Sequence, residues 1–83
     1  MTLIDRLSKL DGPDNRIDVL VEVELFKPDG IYKSVRANAA GTKVIYTTAC
    51  GQQETYWADH YTHTPEHRSK YIAILRAKEA SKP

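Results

Sequence analysis

Asp14-Asn15-Arg16-Ile17-Asp18-Val19-Leu20-Val21-Glu22-Val23-Glu24-Leu25-Phe26 is the stretch that decides what kind of domain this chain forms. It reads in two ways. Ile17, Val19, Val21, Val23 and Leu25 alternate with polar or charged neighbours, apart from Leu20, and their β-branching suits a strand. Ile17, Leu20, Val21 and Leu25 also fall on one helical face, with Asp18, Glu22 and Glu24 pointing mostly away. Pro13 just ahead suits a helical first turn. The early acids suit the positive end of a helix dipole. The period alone does not choose between the two.

The flanking segments are plainer. Upstream, Thr2-Leu3-Ile4-Asp5 has the form of a capping box, with an acid in place of the usual Glu or Gln. Leu3, Ile4, Leu7 and Leu10 then form one apolar stripe on a short helix, which Gly12-Pro13 ends. Downstream, Lys27-Pro28-Asp29-Gly30 is a turn: Pro28 presets φ, and Asp29 can bond its own backbone. Ile31–Ala37 reads as a strand with Ile31, Val35 and Ala37 on one face. Asn38-Ala39-Ala40-Gly41 is a loop. Thr42–Ala49 is the clearest strand, rich in β-branched and aromatic residues.

Cys50-Gly51 sits where a two-residue hairpin loop belongs, and Gln52–Ala58 returns as the partner strand. With that loop Val44 faces Trp57, Ile45 faces Tyr56 and Tyr46 faces Thr55. Both faces of the hairpin are then apolar near its open end, and a sheet apolar on both faces needs cover on both. Thr64-Pro65-Glu66 starts a final helix: an N-cap, Pro at the first position and an acid in the first turn. Arg68, Tyr71, Ile72, Leu75 and Glu79 trace one of its faces, Ile74 and Ala77 widen the apolar side, and Arg76, Lys78 and Lys82 suit its C-terminal end.

The chain has 83 residues, 41% hydrophobic and 28% charged, with a net charge of +1. That size holds one core and so one domain, residues 1–83. No segment approaches the ~20 apolar residues that span a bilayer. Met1–Arg6 has no basic stretch before an apolar run, so no secretory leader is expected, and Ser81-Lys82-Pro83 carries no lipidation box. Cys50 is the single cysteine, which excludes an intrachain disulfide and a cysteine-rich zinc site. A reducing, cytoplasmic setting is expected. Residues 1–29 carry seven acids against four bases, and residues 30–83 eight bases against four acids. The basic part is a candidate face for a partner, weighed against an ordinary surface of mixed sign.

Three stretches resemble a small family of phage and prophage proteins carrying the phage ABA-sandwich domain. They are Leu3-Ile4-Asp5-Arg6-Leu7 running into Gly12-Pro13-Asp14 and Arg16-Ile17-Asp18; Gly41-Thr42-Lys43 with Tyr46-Thr47; and Tyr56-Trp57-Ala58 with Thr62, followed by Ile72-Ala73-Ile74-Leu75-Arg76-Ala77. In that family the segment after Gly-Pro-Asp is helical, so the resemblance implies a helix over 14–26. The β-branched residues there depart from the pattern. The resemblance also implies a sheet between helices and action inside a bacterial host, and it transfers no catalytic residue.

Candidate chemistry is sparse. His60, His63 and His67 have spacing that shares a helical face, but Thr64-Pro65 starts a new helix within it and breaks that face. Histidines around a strand-to-helix corner are the plainer reading. Cys50 at a hairpin tip has no cation or helix N-terminus to lower its pKa, so it reads as a tolerated turn residue. Asp18 and Glu22 stand at i, i+4, which usually marks a solvated face. The four glycines are isolated at turns, so no phosphate loop is present.

Aromatic residues beside bases remain. Tyr46, Tyr56, Trp57 and Tyr71 are expected mainly in the core. Trp57 and Tyr61 with Arg36, Lys43 and Arg68 are the candidate binding residues.

The expected fold is α+β: a small three-stranded, mainly antiparallel sheet with helices on both faces, like an α/β/α sandwich. The expected function is a non-enzymatic phage or prophage accessory protein that binds another protein of phage or host, including a second copy of itself. No cofactor and no membrane contact are expected. One alternative is a nucleic-acid-binding accessory protein using the basic C-terminal part, for which a net charge of +1 is weak. The other is a small metal-dependent enzyme at His60, His63 and His67.

Overall fold

The computed structural model describes residues 2–81. Its elements run α1 (Leu3–Ser8), α2 (Asn15–Leu25), β1 (Tyr32–Ala37), β2 (Lys43–Thr48), β3 (Gln53–Trp57) and α3 (Pro65–Ala80). The three strands form one antiparallel sheet in the order β1-β2-β3. The expected α+β class, with helices beside a three-stranded antiparallel sheet, is the architecture observed.

Local chemistry sets the helix starts. Thr2 Oγ1 accepts from the Asp5 N–H while the Asp5 carboxylate accepts from the Thr2 N–H, a closed capping box. Thr64 caps α3 ahead of Pro65. The disputed stretch is helical: the Asp14 carboxylate caps α2, accepting from the Arg16 N–H at 2.9 Å and the Ile17 N–H at 3.2 Å. The first turn of a helix leaves backbone donors without an intrahelical partner, and Asp14 supplies the acceptor for two of them.

α2 is the centre of the molecule. On one side Ile17 and Val21 pack with Ile4 and Leu7 of α1 and Leu75 of α3. On another side Val19 packs with Val44 and Ala58, joined by Val23, Val35, Ala37 and Tyr46. Leu20 is not part of the buried face, at 36% exposure. The reason lies in the helical wheel. Going round the axis at ~100° per residue, Ile17, Val21 and Leu25 form one arc and Val19 and Val23 another. Asp18 and Glu22 lie between those two arcs, and Leu20 and Glu24 fall on the far side. The acids expected to point away are therefore in the middle of the covered side, and both are buried.

The sheet register differs from the expected one by a single residue. Lys43 pairs with Trp57, Val44 with Tyr56, Ile45 with Thr55 and Tyr46 with Glu54. The cause is the turn. Ala49-Cys50-Gly51 is a three-residue loop: the Gly51 N–H donates to the Thr48 carbonyl at 3.0 Å, and the Thr48 N–H to the Gln52 carbonyl at 2.8 Å. Gly51 lies at φ 94, the left-handed position that follows a type I turn in such loops. A slip of one exchanges the two faces of β3.

That exchange decides how the sheet is covered. Val44, Tyr46, Tyr56, Glu54, Val35 and Ala37 share the face toward α2. Ser34, Arg36, Lys43, Ile45, Thr47, Gln53, Thr55 and Trp57 share the other. The second face is mostly polar and needs no apolar layer. Among the described residues α2 is the helix that packs on the strands, and α1 and α3 stack against α2 or each other rather than on the second face. The helical cover is one-sided. Trp57 and Tyr56, expected mainly in the core, are 67% and 46% exposed, whereas Tyr46 and Tyr71 are half-buried in ring contacts.

Candidate functional site

Two regions hold most of the polar chemistry. The first joins α2 to the segment between β3 and α3. Asp18 Oδ1 accepts from the Tyr61 N–H at 3.0 Å, the Thr62 N–H at 2.9 Å and the Thr62 hydroxyl at 2.8 Å. Glu22 accepts from the Tyr46 hydroxyl at 2.6 Å, the Asp59 N–H at 3.0 Å and the Tyr61 hydroxyl at 3.3 Å. Thr62, fully buried, accepts from the Asp14 N–H at 2.8 Å. Arg68 donates to the Thr62 carbonyl at 2.8 Å. Among the described residues no buried side-chain polar atom lacks a partner here or elsewhere.

These carboxylates hold a loop in place. Their donors are backbone N–H groups and hydroxyls, so the segment 59–62 is fastened across α2 by charge-assisted bonds. Burial and the hydrogen bond to Glu22 push the Tyr46 phenol well above its ordinary range. Burial, with the charges of Glu22 and Asp59, does the same to Tyr61. A pair of like charges at i, i+4 has become a pair of anchors, because the chain brings its own donors to them.

The second region is the open face of the sheet. Here Lys43 Nζ sits 4.6 Å from the centre of the Trp57 ring, a cation–π contact. Arg36 lies across from Ile45, which is two residues along β2 from Lys43 and diagonal to Trp57. Ser34, Arg36, Gln53, Thr55 and Trp57 are exposed, and Lys43, Ile45 and Thr47 half-exposed. No Asp or Glu occupies a paired position on this face. Glu54, the acid of β3, points the other way. It accepts from the Tyr56 hydroxyl at 2.6 Å and the Tyr32 hydroxyl at 2.8 Å, which hold its carboxyl below the usual range.

Of the five candidate binding residues, the structure brings together Arg36, Lys43 and Trp57. Tyr61 and Arg68 lie elsewhere. Tyr61 rests its ring against Tyr71 at 4.8 Å and bonds Glu22, while Arg68 is buried beneath the Thr62 carbonyl. Both serve the fastened loop. Sequence reasoning missed Asp18, Glu22 and Thr62. For the two acids a signal was present in the two apolar arcs of α2, which enclose them; for Thr62 there was none.

The remaining candidates are separate. The rings of His60 and His63 are 5.7 Å apart, and His67 Nδ1 lies 2.7 Å from the Thr64 hydroxyl at the start of α3. Among the described residues no group of three or more His, Cys, Asp or Glu side chains is placed to hold a metal ion. Cys50 is exposed, and its thiol is drawn below the ordinary range by the Thr48 hydroxyl and the Gln52 N–H. The turn itself supplies what no cation or helix end was expected to supply. A cavity of about 160 Å³ lies among Leu3, Ile4, Glu24, Leu75 and Glu79, well below the ~300 Å³ of small-molecule sites. No helix among the described residues is long and apolar enough to cross a membrane.

No family model matches the chain, and neither a curated protein nor a solved structure matches it.

Proposed function

We propose that this chain is a small non-enzymatic accessory protein of a phage or prophage, and that it acts by holding a partner on the open face of its sheet. One observation carries the reading. Trp57 stands 67% exposed on a sheet face that no helix covers, beside Ile45 and under the Lys43 ammonium. Large aromatics anchor contact surfaces when they are presented on a rigid frame, and the strands fix this one. The phage setting rests on the three resembling stretches, two of which include residues of this face, Lys43 and Trp57.

The aromatic and aliphatic centre supports a protein partner of phage or host, or a second copy of the chain. The excess of cations supports a second reading, a nucleic acid. The test is an affinity capture from bacterial lysate at moderate salt, with wild-type and Trp57→Ala protein as paired baits and with and without nuclease. A stoichiometric partner held by wild type and lost by the variant is the expected result. Equal recovery on both baits would remove the open face as the contact surface.

A further inference from the structure

We infer that the open face of the sheet is a binding platform for single-stranded nucleic acid. Bases would stack on Trp57, and the backbone phosphates would meet Lys43 and Arg36. The inference rests on the reading of this face as the contact surface and names the class of partner.

The argument begins with charge. The paired positions of this face carry two cations, Arg36 and Lys43, and no acid, although the whole chain is nearly neutral at +1. Of the nearby acids, Glu54 is occupied on the other side by Tyr32 and Tyr56, and Glu22 and Asp18 by the loop 59–62, while the exposed Asp59 acts on Tyr46 and Tyr61. The face is therefore complementary to an anion.

Shape and polarity then separate the anionic partners. The face is a strand surface edged by β1 and β3. It offers no protruding helix or ribbon to enter a duplex groove. Ile45 is the one aliphatic side chain among its paired positions, and the rest of the face is polar apart from Trp57. What surrounds Ile45 is Ser34, Thr47, Gln53 and Thr55, side chains that both donate and accept hydrogen bonds, as unpaired base edges require. The exposed indole supplies the stacking plane, which serves any base. Lys43, held 4.6 Å from the ring centre, places a cation beside the stacked base, and the indole is 67% exposed. Rows of side chains two residues apart along a strand are separated by ~6.8 Å. The face thus spans about two nucleotides, close to what sheet platforms of this kind hold.

The chain has one tryptophan, so indole emission reports directly on the stacking residue. The probe is a single-stranded oligothymidylate of about 12 residues, within the range of site sizes for such surfaces, titrated into the intact protein at low salt. The expected result is quenching of the Trp57 emission. The binding constant should fall with salt at a log–log slope of about −1.4, two phosphates at ~0.7 each. Arg36→Gln and Lys43→Gln should each take about 0.7 from that slope. Followed by anisotropy of a labelled oligonucleotide, Trp57→Ala should weaken binding roughly 5- to 150-fold, and Trp57→Phe should restore most of it. Unchanged circular dichroism and melting would exclude unfolding as the cause, since the side chain is mostly exposed.

Absence of quenching and of binding at low salt overturns the inference. So does binding that Trp57→Ala leaves intact, and so does equal affinity for polyglutamate, which would reduce the face to a general anion exchanger. If the oligonucleotide fails while a protein partner is captured by wild type and lost by Trp57→Ala, the open face remains the contact surface and its partner is a protein.

Discussion

The two faces of the sheet use their polar side chains in opposite ways. On the face toward α2, polar groups answer one another: Tyr46 to Glu22, Tyr32 and Tyr56 to Glu54, and the Asp59 N–H to Glu22. On the open face Arg36, Ser34, Gln53 and Thr55 extend to solvent, and Lys43 lies over an exposed indole. Satisfied buried polar groups hold a fold, whereas outward-facing ones on a rigid frame are available to something else. Carboxylates often serve as catalytic acids and bases, but here the buried ones fasten the fold. The residues turned toward solvent on the open face are bases, small polar side chains and one large aromatic.

The strongest test of that contrast is Asp18→Ala. It removes one acceptor from three donors, among them the buried Thr62 N–H and the half-buried Tyr61 N–H. Stranding buried donors costs about 1–3 kcal/mol each and the losses overlap, so ~4 kcal/mol is expected. That is a large part of the ~4–12 kcal/mol typical for a chain of this length. Urea unfolding should show a large fall in midpoint, and Asp18→Asn, which keeps one carbonyl oxygen, about half of it. A cost below about 1 kcal/mol would mean that the loop 59–62 is held by something other than these bonds.

Adjacent residues of β2 give the next comparison. Val44 is fully buried and Ile45 only partly, on opposite faces of one strand. Val44→Ala should cost about 2 kcal/mol, through lost contacts and the cavity left under Val19. Ile45→Thr should stay within about 0.5 kcal/mol. Near-equal costs would place a covering layer on the open face.

The tyrosines sharpen the same contrast with pH. Tyr46 and Tyr61 are raised above the ordinary 10.0. A group whose pKa is raised by folding adds stability that is present below its unfolded pKa and is lost as pH rises toward the folded one. Stability should therefore hold up to about pH 10 and decline above it, seen as a falling denaturation midpoint with delayed tyrosinate absorbance. Tyr46→Phe, which removes the bond to Glu22, should cost about 1 kcal/mol at neutral pH and flatten the alkaline decline. An unchanged alkaline profile would show that the phenol is not the group that titrates.

Much of this architecture was legible in the chain. Thr2 and Thr64 mark the starts of α1 and α3, and the α+β class and the strands follow from turn residues and β-branching, whereas residues 14–26 read as a strand or a helix alike until the Asp14 cap is seen. Two further things were not legible. Cys50-Gly51 looks like a two-residue loop, because loop length is set by where Gly51 sits in the turn, and both lengths place a glycine there. The difference of one residue reverses β3, which is why Trp57 looked like core and two-sided cover looked necessary. The two apolar arcs of α2 enclose Asp18 and Glu22, but what satisfies these acids was hidden. Apart from the Tyr46 hydroxyl, their donors come from residues 59–62, some forty positions downstream, and no local rule links the two. Of the candidate binding residues, Arg36, Lys43 and Trp57 were legible as a group only once the register was known.

The smallest expected effect on stability is the most informative about function. Trp57→Ala removes the largest side chain of β3, yet its surroundings are water, Lys43 and the edge of a strand. The change should move the melting midpoint by no more than about 0.5 kcal/mol allows, far less than Val44→Ala one position away in the pairing. A tryptophan held on an edge strand at little benefit to the fold also carries a cost, because exposed aromatics on open edges invite unwanted association. If the variant is as stable as wild type or more so, the side chain is explained by what it contacts outside the chain. If instead Trp57→Ala destabilises as much as Val44→Ala does, the open face is part of the fold, and the contrast between the two faces disappears.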